Sequence, residues 1–273
     1  MKTFSFFYTL LVVILFFYGC QSTQSGDLCG PDQEKKPIGK VFLVGERLIK
    51  SEVLYDIIHA SGLDTRGYSL ILTSEDIAGS KEISDLVKAL NYFKIRANHV
   101  ISIRDSLSIK TSDEIAIRNA QVIFLAFNSR TTHTAFLADS LLTAALKQAF
   151  SNGKSVVGIG PGAGLLGEIT VTSTLDPQTF ETEIKTTTGL NFLPGTLVDK
   201  DRFFINHTDL VMKYAAENPL LFLGVGSSSF AHYCNQELTP KRPESLLVIR
   251  DGKLLDPSAV EKLKKIKLTN NDG

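Results

Sequence analysis

Lys154-Ser155-Val156-Val157-Gly158-Ile159-Gly160-Pro161-Gly162-Ala163-Gly164-Leu165 is the stretch on which the reading of this chain turns. Residues 155–159 form a short apolar run of the kind that builds a buried strand, and they feed a glycine-rich turn followed by apolar residues expected to open a helix. In α/β proteins such a junction presents a nucleophile or cradles an anion on backbone N–H groups. Here Ile159, Gly160 and Pro161 occupy the turn, and none carries a side chain able to attack a carbonyl. That absence is the main functional clue.

Upstream, residues 39–45 are apolar and bounded by glycines, as in a buried parallel strand. Residues 48–59 then carry Leu48, Ile49, Val53, Leu54, Ile57 and Ile58 at helical spacing and stop at Gly62. The pair repeats as a strand over 69–73 and a helix over 82–93, with Ile83, Leu86, Val87, Leu90 and Phe93 on one face. A strand at 100–103, a short helix at 113–118, a strand at 121–127 and one long helix at 134–150 complete the series. Strand and helix in this rhythm predict an α/β fold: a mostly parallel sheet with helices on both faces.

Downstream the rhythm changes. Residues 168–174 alternate like a strand, Asp176-Pro177 turns, and residues 186–199 lead into another strand. A helix over 208–218 ends before Pro219, and residues 220–226 read as a further buried strand. Residues 245–255 predict a C-terminal β-hairpin around Asp251-Gly252, and the lysine-rich residues 258–268 predict a short solvated helix.

The first residues do not belong to this fold. Lys2 precedes an almost uncharged apolar run over residues 4–17, and Gly19 stands directly before Cys20, as at the lipidation site of bacterial lipoproteins. Three readings stay open: a lipoprotein signal, an ordinary secretory signal and an uncleaved anchor. The placement of Cys20 favours the first. The expected organisation is a signal peptide over 1–19, a polar tether over 20–37, the α/β domain over 38–257 and a basic tail over 258–273. The expected location is the bacterial cell envelope, on the periplasmic or outer-membrane side, held by the lipid on Cys20.

Composition narrows the partners. The formal net charge is zero and 21% of the 273 residues are charged, so nucleic acid is not expected as a partner. Three cysteines and five histidines show no metal-ligand spacing, and no metal or cofactor is expected. Cys29 and Cys234 are candidates for a disulfide in an oxidising compartment, with two unrelated thiols as the other reading. The glycines at 158, 160, 162 and 164 match neither the dinucleotide fingerprint nor a Walker loop.

Gly189-Leu190-Asn191-Phe192-Leu193-Pro194-Gly195-Thr196-Leu197-Val198-Asp199 resembles the G-L-G-L-L-P-G-x-x-x-D segment of the cyanophycinase and aspartyl dipeptidase family of serine peptidases. Residues 220–226 resemble the next strand of that family, and the resemblance spans residues 39–256. It implies the class I glutamine amidotransferase-like, flavodoxin-like fold. It also implies a serine nucleophile in G-T-S-A-G-A, a base in D-x-H-F and an acid in G-I-D-E.

Matched residue by residue, the nucleophile position falls on Gly160, or on Pro161 with a one-residue shift, the base on Asp201 and the acid on Ser229. The substrate-facing T-G-G-D-Q turn becomes Ala126-Phe127-Asn128-Ser129-Arg130. The expectation is therefore a pseudoenzyme that binds a peptide or carboxylate ligand, or an envelope protein. Its candidate groups are Asn128, Ser129, Arg130, Gly162, Arg202 and Ser228. The two arginines are included because guanidinium presents a bidentate fork to carboxylate. The competing expectation is an active hydrolase of acidic or isopeptide-linked peptides with relocated residues, drawn from Ser227 to Ser229 or from Thr131 and Thr132 beside His133.

Overall fold

The computed structural model describes residues 39–45, 51–64, 67–74, 80–95, 97–103, 109–129, 132–175, 182–241, 246–256 and 266–268. The chain divides into two units, Met1–Gln33 and Glu34–Gly273, and all described residues belong to the second. Residues 1–37, on which the expected signal peptide and tether fall, with Cys20 and Cys29, and also Arg130 and Thr131, lie outside them.

The alternation expected for the first half is present. Strand β1 (Val41–Val44), helix α1 (Ser51–Ser61), β2 (Tyr68–Thr73), α2 (Lys81–Tyr92), β3 (Ala97–Ser102), α3 (Thr111–Asn119) and β4 (Val122–Ala126) follow in order. Two helices, α4 (His133–Ala138) and α5 (Ser140–Ser151), replace the single helix expected over 134–150. Asp139 makes the break. Its backbone is extended, and its carboxylate accepts the Leu142 N–H at 3.0 Å as the N-cap of α5 and the Ile109 N–H at 3.1 Å. Strand β5 (Ser155–Ile159) then pairs in parallel with β1 on one side and β4 on the other.

The second half adds β6 (Gly167–Leu175), β7 (Thr182–Thr188), β8 (Leu193–Lys200), α6 (Asp201–Asn206) and α7 (Thr208–Glu217). Strands β9 (Leu221–Val225), β10 (Phe230–Cys234), β11 (Glu237–Pro240), β12 (Leu246–Arg250), β13 (Lys253–Leu255) and β14 (Ile266–Lys267) complete it. These elements form two mixed sheets. One has eight strands in the order β14-β11-β10-β1-β5-β4-β2-β3, with a parallel centre; the other has six, β13-β12-β9-β8-β6-β7. The sequence reading did not separate this second sheet from the first, because local periodicity carries no pairing information.

Alternation within β1 shows how the layers form. Phe42 and Val44 face a cluster with Leu54, Ile57, Leu86 and Leu90 of α1 and α2. Val41 and Leu43 face the opposite cluster, which includes Leu142 and Leu146 of α5 and Val198 and Leu223 of the second sheet. The outer face of the second sheet is covered by Phe203, Phe204, Val211 and Ala215 of α6 and α7. One sheet thus packs between helices and a second sheet, which itself carries helices on its far side.

The expected C-terminal hairpin is present as β12 and β13, with Asp251 at φ 52° and Gly252 at φ 65°, the left-handed pair of a two-residue turn. A second such turn, Asn235 and Gln236 at φ 50° and 65°, joins β10 to β11 and lacks the glycine that would have announced it. The expectation of a solvated helix reaching Leu268 is corrected at its end: Ile266 and Lys267 pair with Leu238 and Glu237, and Ile266 and Leu268 are buried. Residues 257–265 are outside the described residues. Cys234 is disulfide-bonded.

Candidate functional site

Register brings the ends of several strands to one edge. Ile159 at the end of β5 pairs with Val44 of β1 and with Ala126 of β4, and Val44 pairs with Phe230 at the start of β10. In the second sheet Lys200, the last residue of β8, pairs with Val225, the last of β9. Gly160, Gly45, Phe127, Asp201 and Gly226 each follow one of these positions directly. The link between the sheets is the turn at residues 226–229: the Gly45 N–H donates to the Ser229 carbonyl at 3.0 Å, and a Cβ on Gly45 would lie 2.1 Å from the Gly226 carbonyl. Gly160, Asp201 and Ser229, the three positions onto which the resemblance would map a triad, therefore stand at the same edge. It is formed by the carboxyl ends of parallel strands, where open α/β sheets hold their ligands.

The glycine-rich turn itself is closed. Residues Gly160–Leu166 form a 3-10 helix, not the α-helix expected, and all seven are buried. The reason is close packing on both sides. A Cβ on Gly162 would sit 2.1 Å from the Leu125 carbonyl of β4, and one on Gly164 would sit 3.2 Å from the Val198 carbonyl of β8. Helix α4 closes in as well, since the same Cβ on Gly164 would meet His133 at 3.4 Å. Gly167 then enters β6 directly, so the chain leaves the turn along the second sheet. Gly160, at φ 53°, has the left-handed backbone that a side chain disfavours.

Around this turn the candidate residues divide by exposure. Asn128 is exposed and accepts a hydrogen bond from the Ser74 hydroxyl at 3.2 Å; Ser129 is half-buried, and its carbonyl accepts from the Thr132 hydroxyl at 2.9 Å. Ser227, Ser228 and Arg202 are exposed, the last on the first turn of α6. Ser229 is buried, and its hydroxyl accepts the Gly226 N–H at 2.9 Å. Gly162 is buried, and packing against β4 accounts for its lack of a side chain. Asp201 opens α6, next to the buried Asp199, whose carboxylate accepts the Lys200 N–H at 2.6 Å.

The residues available for relocated chemistry are not presented to solvent together. His133 is buried, its Nδ1 3.4 Å from the hydroxyl of Thr170, itself fully buried, and its ring meets Phe127 edge-on at 6.4 Å. The His207 ring lies tilted at 48° against Phe203, one turn earlier, with centroids 5.3 Å apart. The proximity of His133 to Thr170 had no signal in the sequence, since the two lie 37 residues apart and meet only because the second sheet packs under α4. Among the described residues, no three His, Cys, Asp or Glu side chains gather as metal ligands, and no helix is long and apolar enough to cross a membrane.

No family model and no curated protein matches this chain. Solved structures do. The crystal structure of a peptidase from an acI-B1 Actinobacterium superposes with a TM-score of 0.56 at 14% identity, covering 87% of this chain and 96% of that one. A putative peptidase E protein from Listeria monocytogenes EGD-e superposes with a TM-score of 0.53 at 12% identity, covering 75% of this chain and 98% of that one. At such identities the likeness is one of fold: the chain has the α/β architecture of peptidase E-like, class I glutamine amidotransferase-like proteins.

Proposed function

We propose that this chain is a lipid-anchored, extracytoplasmic pseudoenzyme in which a peptidase-type fold serves binding rather than hydrolysis. The observation that carries the reading is the closed turn: Gly160–Leu166 offers no nucleophile, and every residue of it is buried. A hydrolase of this architecture needs an exposed oxygen at that point, with a base in hydrogen-bond reach and an acid behind it. Here Asp201 stands where the base is expected, and Ser229, where the acid is expected, is committed to the Gly226 N–H.

What remains at the edge suits a polar, anionic ligand. Asn128, Ser129, Ser227 and Ser228 supply amide and hydroxyl groups, and Arg202, exposed on the first turn of α6, supplies a cation, with Arg130 outside the described residues. A short peptide with a free or side-chain carboxylate is the ligand class that fits. The amino-terminal segment, through Cys20, would hold the domain to a membrane.

Treatment of the full chain with a fluorophosphonate probe is expected to give no covalent adduct. An adduct that disappears on changing one serine would establish the relocated-hydrolase reading instead. Calorimetric titration with an aspartyl dipeptide is expected to show binding that weakens when Arg202 is changed to Ala. A radiolabelled fatty acid is expected to enter the wild-type chain in bacteria but not Cys20→Ser.

A further inference from the structure

The two exposed aromatic side chains among the described residues stand in one cluster. Tyr55 of α1 is 55% exposed and Tyr92 of α2 is 80% exposed, and the half-buried Phe93 lies between them. The Phe93 ring centroid is 6.4 Å from that of Tyr55 and 5.5 Å from that of Tyr92, which it meets edge-on. His59, exposed one turn after Tyr55, adds a ring 6.0 Å away. The core-facing side of α2 is carried by Ile83, Leu86 and Leu90, so packing does not call for an aromatic ring at Tyr92. A tyrosine joins an apolar ring to a polar tip, the combination that suits the boundary between lipid and water.

The cluster lies at one end of the first sheet. The Lys40 ammonium, directly before β1, donates to the Ala60 carbonyl at the end of α1 at 2.8 Å. The Asn98 side-chain amide, at the start of β3, donates to the Asn91 side-chain oxygen near the end of α2 at 3.2 Å. Both helices therefore finish at the amino ends of the parallel strands, opposite the edge at which Gly160 and Ser229 stand. The chain enters β1 at this same end. Residues 21–38, between Cys20 and Gly39, reach at most roughly 65 Å when extended. The charged neighbours of the cluster in the chain, Asp56 and Lys94, are exposed and of opposite sign, so a neutral lipid surface fits it. We propose that this end of the domain rests on the lipid bilayer, with Tyr55 and Tyr92 at the boundary between headgroups and acyl chains. The inference rests on the anchoring through Cys20 proposed above.

A connection of that length allows many orientations, and the tyrosines select one of them. Rings that enter the headgroup region by about 5–10 Å hold the orientation, while the lipid supplies the attachment. The edge that carries Asn128, Ser228 and Arg202 is then turned away from the membrane, where a soluble peptide reaches it.

The full chain, produced in bacteria and reconstituted into phosphatidylcholine vesicles, tests the orientation. The sequence contains no tryptophan, so Tyr92→Trp and Ile205→Trp each install a single fluorescent reporter at an exposed position. The second lies on α6, which begins at the edge of the candidate site. In vesicles of phosphatidylcholine brominated near the top of its acyl chains, the emission of the Tyr92→Trp variant is expected to fall to roughly half of its value in unbrominated vesicles. That of the Ile205→Trp variant is expected to stay unchanged. Adding Tyr55→Glu to Tyr92→Trp is expected to restore most of the lost emission. Flotation of the same samples separates the two readings. A chain that does not float with the vesicles overturns the anchoring and this orientation with it. A chain that floats while the Tyr92→Trp emission is not quenched, or while the Ile205→Trp emission is quenched equally, overturns the orientation alone.

Discussion

The hydroxyl of Ser229 accepts the Gly226 N–H at 2.9 Å, and the Ser229 N–H donates back to the Gly226 carbonyl at 2.9 Å. The two residues close the turn that carries the chain from β9 of one sheet to β10 of the other. The serine at the expected acid position is therefore part of the scaffold that holds the edge together. Ser229→Ala leaves a buried N–H without its acceptor and is expected to cost about 1–2 kcal/mol of stability, measured by urea denaturation. Ser228→Ala, on the exposed side of the same turn, is expected to change stability by less than about 0.5 kcal/mol.

Gly162 and Gly164 make a graded test of the closed turn. The atom that a Cβ on Gly162 would strike is a β4 backbone oxygen at 2.1 Å, and backbone cannot swing aside. Gly162→Ala is expected to lower stability by about 3 kcal/mol or more, or to abolish soluble expression. Gly164→Ala, with its nearest atom at 3.2 Å, is expected to cost about 1 kcal/mol. Thermal melts of the two variants give the order directly; equal losses would contradict the packing.

Restoring a serine at the turn separates loss of a nucleophile from loss of the whole mechanism. Gly160→Ser places a hydroxyl at φ 53°, at a strain of about 1 kcal/mol. No imidazole stands exposed beside it among the described residues, because His133 is buried against Thr170. The variant is expected to fold, to melt a few degrees lower, and to remain inert to a fluorophosphonate probe in intact-mass spectrometry. Labelling would mean that a base is already in place.

His232 gives the fold a dependence on pH. It lies on β10, only 2% exposed, stacked on Phe42 with ring centroids 4.7 Å apart, and its Nε2 has no hydrogen-bond partner among the described residues. Burial, and then the charges of Lys40 and Lys241, lower its pKa from 6.5 to about 4. Between those values the unfolded chain binds the proton and the folded chain does not, so stability is full above pH 6.5 and falls as pH drops toward 4. The loss over that window is about 3 kcal/mol. His232→Phe keeps a ring against Phe42 and is expected to flatten this part of the stability profile, read from urea midpoints at pH 7, 5.5 and 4.5.

Much of the first sheet was legible because its information is local. The apolar runs of β1, β2, β4 and β5 and the helical stripes of α1 and α2 are contiguous in the chain, and residues 154–165 marked the strand-to-turn junction. Asp251-Gly252 announced its hairpin by residue type alone, whereas Asn235-Gln236 did not, and β10 and β11 went unread with it.

The sequence by itself determined the α/β alternation and the absence of a nucleophilic side chain from residues 159–161. Only the tertiary structure decided that the strands divide between two sheets, that residues 160–166 coil into a buried 3-10 helix instead of an exposed elbow, and that Ile266 and Leu268 return to the body as a strand. The reason is physical. Strand pairing and the approach of Gly162 to Leu125 or of His133 to Thr170 depend on contacts between residues far apart in the chain, and local periodicity does not encode them.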